Sequence, residues 1–594
     1  MLGQNSRPIN NIQEGEKLDG SSFLTYFSYP IFTFNFSFAN AYSGSTEEAH
    51  ALLTWKTSLH QNHSRSLLSS WNLDSVNATS ISPNNRSKLS SPCSWFGIRC
   101  NRVGGVLGIN LSTVGLKGTL HEFSFSSFPH LVYLDLSANE FSGIIPAQIA
   151  NLTKLKYLNL SANRLFGEMP PEIGQLSSLN GLSLSSNYLN GSIPASVGNL
   201  SGLILFYLHN NSFSGSIPPI IGNLKFLSSL ALSTNHLNGV IPPSIGNLTN
   251  LNGLYLFKNS LSGTIPPSIG NLKNLRFLAL QTNKLSGSIP IEIGNLKFLS
   301  GLVLGNNSLS GLIPLSLGNL SNLAILSLQI NKLFGSIPQE IGNLMKLSKL
   351  KLAKNQLTGS LPYNICQSGS LERFFIRYNY IEGPIPKSLR NCTSLVRARL
   401  EWNNLSGNIS EDFGIYPNLK FIDLSHNKFY GEISSNWGKC PKLATLNISM
   451  NNITGNIPLE FANSSQLQVL DLSSNHIVGE IPVEFGKLIS LGKLILNSNK
   501  LSGSLPRELG SLTKLEYLDL SKNRLSNSIP KSLGYLLKLH YLDLGNNQFS
   551  QEIPTELQNL VQLSKLDLSY NLLKGEIPSQ ILQFGKFREL ETLP

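Results

Sequence analysis

The chain has 594 residues, of which 41% are hydrophobic and 13% are charged, and its formal net charge is +12. The hydrophobic share is sufficient for an extensive core, but the charged share is well below the ~25% of an average globular domain. Polar uncharged residues must therefore cover much of the surface. The five cysteines are too few for a scaffold that depends on disulfides alone.

The first element in chain order is a leader, residues 1–43. Phe23 to Phe38 form a run rich in Phe, Tyr and Leu, and Ala39-Asn40-Ala41 follows. An apolar run before small residues is the pattern of a secretory signal peptide and its cleavage site, although Pro30 and Asn35 interrupt this one. No later stretch has the ~18–20 continuous apolar residues of a membrane helix. We therefore predict secretion, with no membrane anchor in the sequence itself.

Residues 44–104 are predicted to cap the array that follows. Glu47 to Leu59 has helical periodicity, and Trp71 and Trp95 lie beyond it. Cys93 and Cys100 are close enough in a secreted chain to form one local disulfide. A one-dimensional stack of repeats has two open ends that need such caps.

Three further cysteines lie within the repeats at Cys366, Cys392 and Cys440. They lack the Cys-x-x-Cys pairing and the histidine spacing of zinc sites, so no metal site is predicted. A bridge between Cys366 and Cys392 would join neighbouring repeats and leave Cys440 as a free, buried thiol. The spacing leaves their pairing open.

One 24-residue motif is copied along residues 105–580. Its Asn recurs without a break from Asn139 to Asn571, which is eighteen intervals of 24, and an earlier copy has Val114 in its place. A fixed period of 20–50 residues indicates a repeat array. About twenty repeats are therefore predicted, with residues 581–594 as a tail that lacks a cap and leaves the last strand edge unpaired.

The first full copy, Leu131 to Pro146, shows how each unit should fold. Leu134 and Leu136 alternate with polar neighbours, which predicts a short strand with one buried face. Asn139 can bond backbone groups that the turn leaves unpaired, and Pro146 prevents a long outer helix. The predicted fold is an α/β-type leucine-rich-repeat solenoid, with a parallel concave sheet and short 3-10 or irregular convex segments.

Residues 44 to 580 resemble the ectodomains of plant leucine-rich-repeat receptor-like kinases. The signature Leu-x-Gly-x-Ile-Pro, as in Leu189 to Pro194, is the plant type of this repeat. The stretch Cys366 to Ile433 resembles the subfamily of male-discoverer-interacting receptor-like kinases. This resemblance implies a secreted peptide as ligand and a leucine-rich-repeat co-receptor kinase as partner. The expected membrane helix and Ser/Thr kinase are absent from the sequence, which indicates a truncated ectodomain.

The first candidate ligand-binding group breaks a run of small residues at outward strand positions. It consists of Tyr207, His209, Tyr255, Phe257, Lys258, Phe277 and Gln281. Large apolar side chains that face solvent in a concavity often mark a binding groove. We predict that these residues line an exposed groove, and scattered surface aromatics are the alternative.

The second candidate group is basic and spans three successive strands. It consists of Lys349, Lys351, Lys354, Arg373, Phe375, Arg377, Tyr378, Arg397, Arg399, Glu401 and Trp402. Strand side chains alternate, so Arg397 and Arg399 share one face, where two guanidinium groups can bind a carboxylate by bidentate bonds. The family resemblance implies that this pair binds the free C-terminal carboxylate of a peptide. The alternative is a solvated basic surface that Glu401 and Asp423 balance.

Asn-x-Ser/Thr sequences predict glycan acceptors along the array. They include Asn77, Asn151, Asn199, Asn247, Asn319, Asn391 and Asn452. The strands from Lys349 to Trp402 carry none at outward positions. Because a glycan would block a groove, the middle of the concave face is predicted to stay open.

These patterns favour binding over catalysis. His209 and His426 are nine repeats apart, about 43 Å at strand spacing, so they cannot converge in a catalytic triad. Neither a kinase motif set nor a Gly-rich phosphate loop occurs. No cofactor is predicted, and the basic residues do not follow a nucleic-acid groove.

The predicted function is the extracellular ligand-binding region of a plant receptor, on the apoplastic side of the plasma membrane, that senses a secreted peptide along its concave face. The alternative is a secreted inhibitor or cell-wall polysaccharide-binding protein.

Overall fold

The computed structural model describes residues 46–59, 68–72, 92–576 and 589–591, the last three by backbone alone. The predicted leader and the sequon at Asn77 lie outside these residues. Within them, no helix has the length and apolar composition needed to cross a bilayer.

The inner face is one sheet whose neighbouring strands follow chain order. Every pair is parallel except the first, and register advances by 24 residues per strand, as in Leu134 beside Leu158. Its strands within the described residues are Ile98–Cys100, Val106–Asn110, Tyr133–Asp135, Tyr157–Asn159, Gly181–Ser183, Leu205–Tyr207, Ser229–Ala231, Gly253–Tyr255, Phe277–Ala279, Gly301–Val303, Ile325–Ser327, Lys349–Lys351, Arg373–Phe375, Arg397–Arg399, Phe421–Asp423, Thr445–Asn447, Val469–Asp471, Lys493–Ile495, Tyr517–Asp519, Tyr541–Asp543, Lys565–Asp567 and Glu589–Glu591.

The outer side carries short helices and a second set of strands. The helices are mostly five-residue 3-10 turns after the Ile-Pro pair, such as Ala147–Asn151 and Lys531–Tyr535, with α-helical turns at Lys387–Arg390 and Ile409–Asp412. The second set of strands was not anticipated from the sequence. It forms four short parallel ribbons: Lys117–Thr119, Glu140–Gly143, Arg164–Glu168 and Tyr188–Asn190; Ser286–Gly287, Ser308–Gly311, Lys332–Ser336 and Gln356–Thr358; Glu382–Gly383, Asn404–Asn408, Lys428–Glu432 and Asn452–Thr454; and Ser502–Ser504, Arg524–Asn527, Gln548–Glu552 and Leu572–Lys574.

The repeated Asn forms the predicted ladder between repeats. Asn139 donates from Nδ2 to the carbonyls of Leu111 and Leu136 at 2.7 and 3.0 Å, and its Oδ1 accepts the N–H of Leu116 at 2.9 Å. The same set of bonds recurs down to Asn571. Since buried backbone groups must be paired, this side chain satisfies groups that the turn leaves open.

The N-terminal cap closes one end of the core. The helix Thr46–Ser58 buries Trp55, whose indole N–H donates to the Thr119 carbonyl at 3.1 Å. Both carboxylate oxygens of the buried Glu48 accept the N–H of Val106, at 3.0 and 3.1 Å. The antiparallel strand Ile98–Cys100 covers the first edge of the sheet, so the cap pairs groups that would otherwise be exposed there.

Two disulfides are present. Cys93 bonds Cys100 inside the cap, and Cys366 bonds Cys392 between neighbouring repeats, while Cys440 is free and buried. The pairing that spacing left open is therefore resolved. The second bridge joins the turns that precede the strands of Arg373 and Arg397.

The C-terminal end of the sheet differs from the predicted one. Residues 589–591 pair in parallel with Lys565–Asp567, again at an offset of 24 residues. The segment that we assigned to a tail thus adds one strand, and the edge that we expected to be unpaired is paired. Irregular spacing of leucines after Pro578 concealed this strand in the sequence.

Candidate functional site

Seven cations gather on three neighbouring inner strands. Register places Lys349, Arg373 and Arg397 in one row across the sheet and Lys351, Phe375 and Arg399 in the next. We call the surface formed by Lys349, Lys351, Lys354, Arg373, Arg377, Arg397 and Arg399 the basic surface. All seven side chains keep contact with solvent, whereas Leu350 and Ala398 between them are buried. The predicted face of the Arg pair therefore agrees with the structure.

Arg397 and Arg399 lie over one aromatic ring of the following strand. The guanidinium carbons of Arg397 and Arg399 are 4.1 and 5.5 Å from the centre of the Phe421 ring. Such cation–π contacts hold a guanidinium in place while leaving its N–H groups free to donate in the ring plane. Phe421 thus limits the motion of both guanidinium groups. It was missed in the sequence, although it lies 24 residues after Arg397.

Glu401 is buried beneath two of the cations. Its Oε1 accepts from Arg399 Nε and Nη2 at 3.0 and 2.8 Å and from Arg377 Nη1 at 3.4 Å. Burial, followed by the charge of Asp423, raises the pKa of Glu401 to about 7, and the two arginines oppose that rise. The alternative of a basic surface balanced by acids is therefore partly realised, at Arg377 and Arg399.

Phe375 does not face solvent as the sequence pattern predicted. It is 3% exposed, and the Lys351 ammonium lies 5.3 Å from its ring centre. The neighbouring Lys351 and Arg399 strands leave no room for the ring to stand above the sheet. Phe375 is therefore part of the floor of the basic surface.

A row of large exposed side chains runs along one edge of the basic surface. Tyr378, Trp402 and His426 stack, with ring centres 5.7 and 3.7 Å apart, and the Lys354 ammonium lies 5.6 Å from the Tyr378 ring. Each occupies the position before the ladder Asn, where the backbone has positive φ. Met450 continues the row. We call these five residues the ring ladder; the sequence analysis missed His426 and Met450, which the 24-residue register would have revealed.

The first candidate group lies on the concave strands but does not form an exposed groove. Tyr207, His209, Phe257 and Gln281 are only 7–9% exposed. The aromatic side chains fill space that small neighbours leave: a Cβ added at Gly301 would lie 2.6 Å from Phe277 Cδ1.

The expected solvent-facing aromatics are therefore wrong for Tyr207, His209 and Phe257, because repeats only one strand apart cover them. Tyr255 and Phe277 are half-buried, and Lys258 is exposed. Burial lowers the pKa of His209 to about 4, so this histidine is neutral.

Six of the predicted glycan acceptors lie within the described residues, and all six side chains are exposed. These are Asn151, Asn199, Asn247, Asn319, Asn391 and Asn452. The first four end outer 3-10 helices. Their use as acceptors stays a prediction, but none lies on the basic surface.

Clusters that could bind a metal through three or more His, Cys, Asp or Glu side chains do not occur in the described part of the chain. The acidic side chains instead form a row on the C-terminal half of the concave face, at Asp423, Asp471, Asp519, Asp543 and Asp567. Asp423 Oδ1 accepts from the backbone and hydroxyl of Ser425, and Asp519 and Ser521 repeat that pattern. This row bounds the basic surface on one side.

Families of leucine-rich repeats match most of the array. The "Leucine rich repeat N-terminal domain" matches residues 45–101, the "Leucine-rich repeat region" matches 112–254 and a "Leucine rich repeat" family matches 417–477. Shorter single-repeat matches cover 250–296 with a gap and 514–584 with gaps. The predicted cap and repeats are thus found at the expected places.

Curated relatives from Arabidopsis thaliana are receptor kinases. MDIS1-interacting receptor like kinase 2 is 44% identical over 115 residues, which are 19% of this chain and 10% of that protein. The LRR receptor-like serine/threonine-protein kinase RGI3 is 37% identical over 135 residues, 23% of this chain and 10% of that protein. The matched stretches span about a tenth of the length of these relatives.

Solved structures are similar over nearly the whole array. The plant peptide hormone receptor RGFR1 in complex with RGF2 has a TM-score of 0.75 and 36% identity, with 83% of this chain and 85% of that chain covered. The Arabidopsis receptor kinase HAESA, in complex with the peptide hormone IDA and the co-receptor SERK1, has a TM-score of 0.75 and 34% identity, with 90% and 95% covered. The continuous inner sheet, the plant-type repeat and this degree of identity lead to one conclusion: the chain belongs to the leucine-rich-repeat ectodomains of plant receptor-like kinases.

Proposed function

We propose that the concave face binds a secreted peptide in extended form, with the peptide's C-terminal carboxylate held by Arg397 and Arg399. The observation that carries this proposal is the Arg pair itself. Both guanidinium groups rise from one three-residue strand, stack on Phe421 and lie among five further cations. Two such forks provide bidentate, charge-assisted bonds of the kind that a carboxylate prefers.

The peptide runs from the Arg pair toward the N-terminal repeats. The Asp row that starts at Asp423 repels a carboxylate on the other side, whereas Lys349, Lys351 and Arg373 attract it. A peptide of about 12 residues, extended at ~3.3 Å per residue, crosses about eight strands at ~4.8 Å spacing. It would therefore reach the strand Leu205–Tyr207, where the first candidate group begins.

The structures of similar receptors support the choice of a peptide. RGFR1 and HAESA were both solved with a peptide hormone bound, and HAESA also with the co-receptor SERK1. We therefore infer a leucine-rich-repeat co-receptor kinase as the second partner and the extracellular side of the plasma membrane as the location. Signalling would need a kinase, and we assign no catalytic role to the repeats.

The test uses random peptides of about 12 residues, the length derived from strand spacing, prepared as one pool with free C-terminal carboxylates and one with amidated C-termini. The purified chain is expected to retain members of the first pool and to lose most of that retention with the second. Equal retention of both pools contradicts the role of the Arg pair. Retention of neither contradicts peptide binding itself.

A second candidate function is binding of an acidic cell-wall polysaccharide. The exposed Tyr378 and Trp402 rings beside Lys354 and Arg377 favour it, since uronate polymers carry both sugar rings and carboxylates. Retention on polygalacturonate should then fall steeply as salt rises, because exposed charges are screened, and Trp402→Ala should reduce it. Weak retention already at low salt, or retention that Trp402→Ala leaves unchanged, excludes this candidate.

A further inference from the structure

We propose that Glu401 is a positioning residue that makes carboxylate recognition depend on proton uptake: it holds Arg399 and Arg377 when no ligand is bound and becomes protonated when a ligand carboxylate takes its place on Arg399. This inference rests on the proposed function, since it concerns the same Arg pair. It adds a specificity-determining group that contacts no ligand directly.

The hydrogen bonds of Glu401 are unevenly distributed over its two oxygens. Oε1 accepts both Arg399 bonds and the Arg377 bond. Oε2 is buried and has no hydrogen-bond partner among the described residues. A buried charged oxygen without a donor is costly, whereas a proton on Oε2 would remove that charge while leaving Oε1 free to accept.

The fork of Arg399 is already engaged by Glu401. Arg399 uses Nε and Nη2 toward Oε1, and these two atoms form one of the edges that a ligand carboxylate would bind. A ligand that approaches Arg399 must share the guanidinium with Glu401 or displace it. Two carboxylates on one guanidinium repel each other, which favours protonation of the more buried one.

The charges around Glu401 come from three strands. Arg377 follows the preceding strand, Arg397 and Arg399 lie on its own strand, and Asp423 and His426 belong to the next repeat. Burial and then Asp423 raise the pKa of Glu401 to about 7, and Arg399 and Arg377 oppose the rise. Burial lowers the pKa of His426, with Asp423 opposing.

The expected pH dependence follows from this arrangement. Below pH 7 most Glu401 side chains are already protonated, so a ligand carboxylate binds without further proton uptake. Above pH 7 each binding event must also take up a proton, and affinity falls by up to tenfold per pH unit. A peptide's own C-terminal carboxylate stays ionised throughout, since its ordinary pKa is ~3.5.

The experiment measures the affinity of a peptide selected from the carboxylate pool at pH 6 and pH 8. The chain is expected to bind it about tenfold more weakly at pH 8, whereas Glu401→Gln binds with nearly equal affinity at both values. Glu382→Gln, which removes an exposed carboxylate one repeat away, should keep the pH dependence of the parent chain. Glu401→Asp should also keep it, because the titrating group remains.

The outcomes separate the two proposals. A selected peptide that binds equally at pH 6 and pH 8, or a Glu401→Gln chain that keeps the tenfold change, overturns the role of Glu401 and leaves peptide binding standing. Loss of affinity at both pH values in Glu401→Gln also overturns it, because a purely structural role would act at every pH. A chain that ignores peptide carboxylates at both pH values overturns the proposed function and this inference with it.

Discussion

Replacing both Arg397 and Arg399 by alanine is expected to weaken binding of a carboxylate-ended peptide by more than tenfold, over ~1.4 kcal/mol. The double replacement removes the two guanidinium forks while leaving the buried Ala398 and the strand itself unchanged. It also frees Phe421, which no longer carries a cation. Calorimetry or surface plasmon resonance with a peptide selected from the carboxylate pool measures the change, and the amidated form of the same peptide should bind the parent chain about as weakly.

A matched control is available on the same face. Lys493 and Lys565 occupy the repeat position of Arg397, four and seven repeats further along. The double replacement of these lysines by alanine removes the same charge but should change affinity less than about threefold, since the pair lies well beyond a Debye length at physiological salt. Equal losses in the two double variants would mean that net charge, and not the Arg pair, governs binding.

Asn403→Ala is expected to loosen the basic surface by about 3 kcal/mol. Asn403 accepts the Ile381 N–H and donates to the carbonyls of Ile376, Leu400 and Glu401. Alanine leaves these buried groups unpaired, and each unpaired buried group costs about 1–3 kcal/mol before relaxation. Because an array of repeats can open locally, amide hydrogen exchange is the suitable measurement.

We expect the amide of Ile381 and its neighbours to exchange about a hundredfold faster in Asn403→Ala, since 1.4 kcal/mol corresponds to about tenfold. Asn418→Ala provides the control. The Asn418 side chain donates a hydrogen bond to the Thr393 carbonyl at the surface, so its loss should change exchange only a few-fold. Unchanged exchange at Ile381 would show that the ladder is dispensable in this part of the array.

The sequence alone located most of the framework. The 24-residue period predicted the inner strands, the Asn ladder and the register that brings Lys351 next to Arg399. The helical pattern after Glu47 and the pair Cys93 and Cys100 predicted the cap. These features depend on short-range order within a repeat and on its exact copying, and both can be read from one chain.

The sequence also misled at identifiable places. Tyr207 and Phe257 were expected to face solvent because they stand at outward positions, yet neighbouring side chains cover them. Phe375 lies in the floor for the same reason. The strand at 589–591 was hidden because its leucines depart from the repeat. Outward position predicts direction, whereas exposure depends on the volumes of side chains one strand away.

What the sequence by itself determined is therefore which side chains share the concave wall, because strand alternation and a fixed period are properties of the chain. The tertiary structure decided what those side chains do to one another. Only the packed array shows that Phe421 lies under both arginines and that Glu401 is buried against Arg377 and Arg399. Burial removes water from the Glu401 carboxylate, and this loss of solvation shifts its pKa toward neutrality.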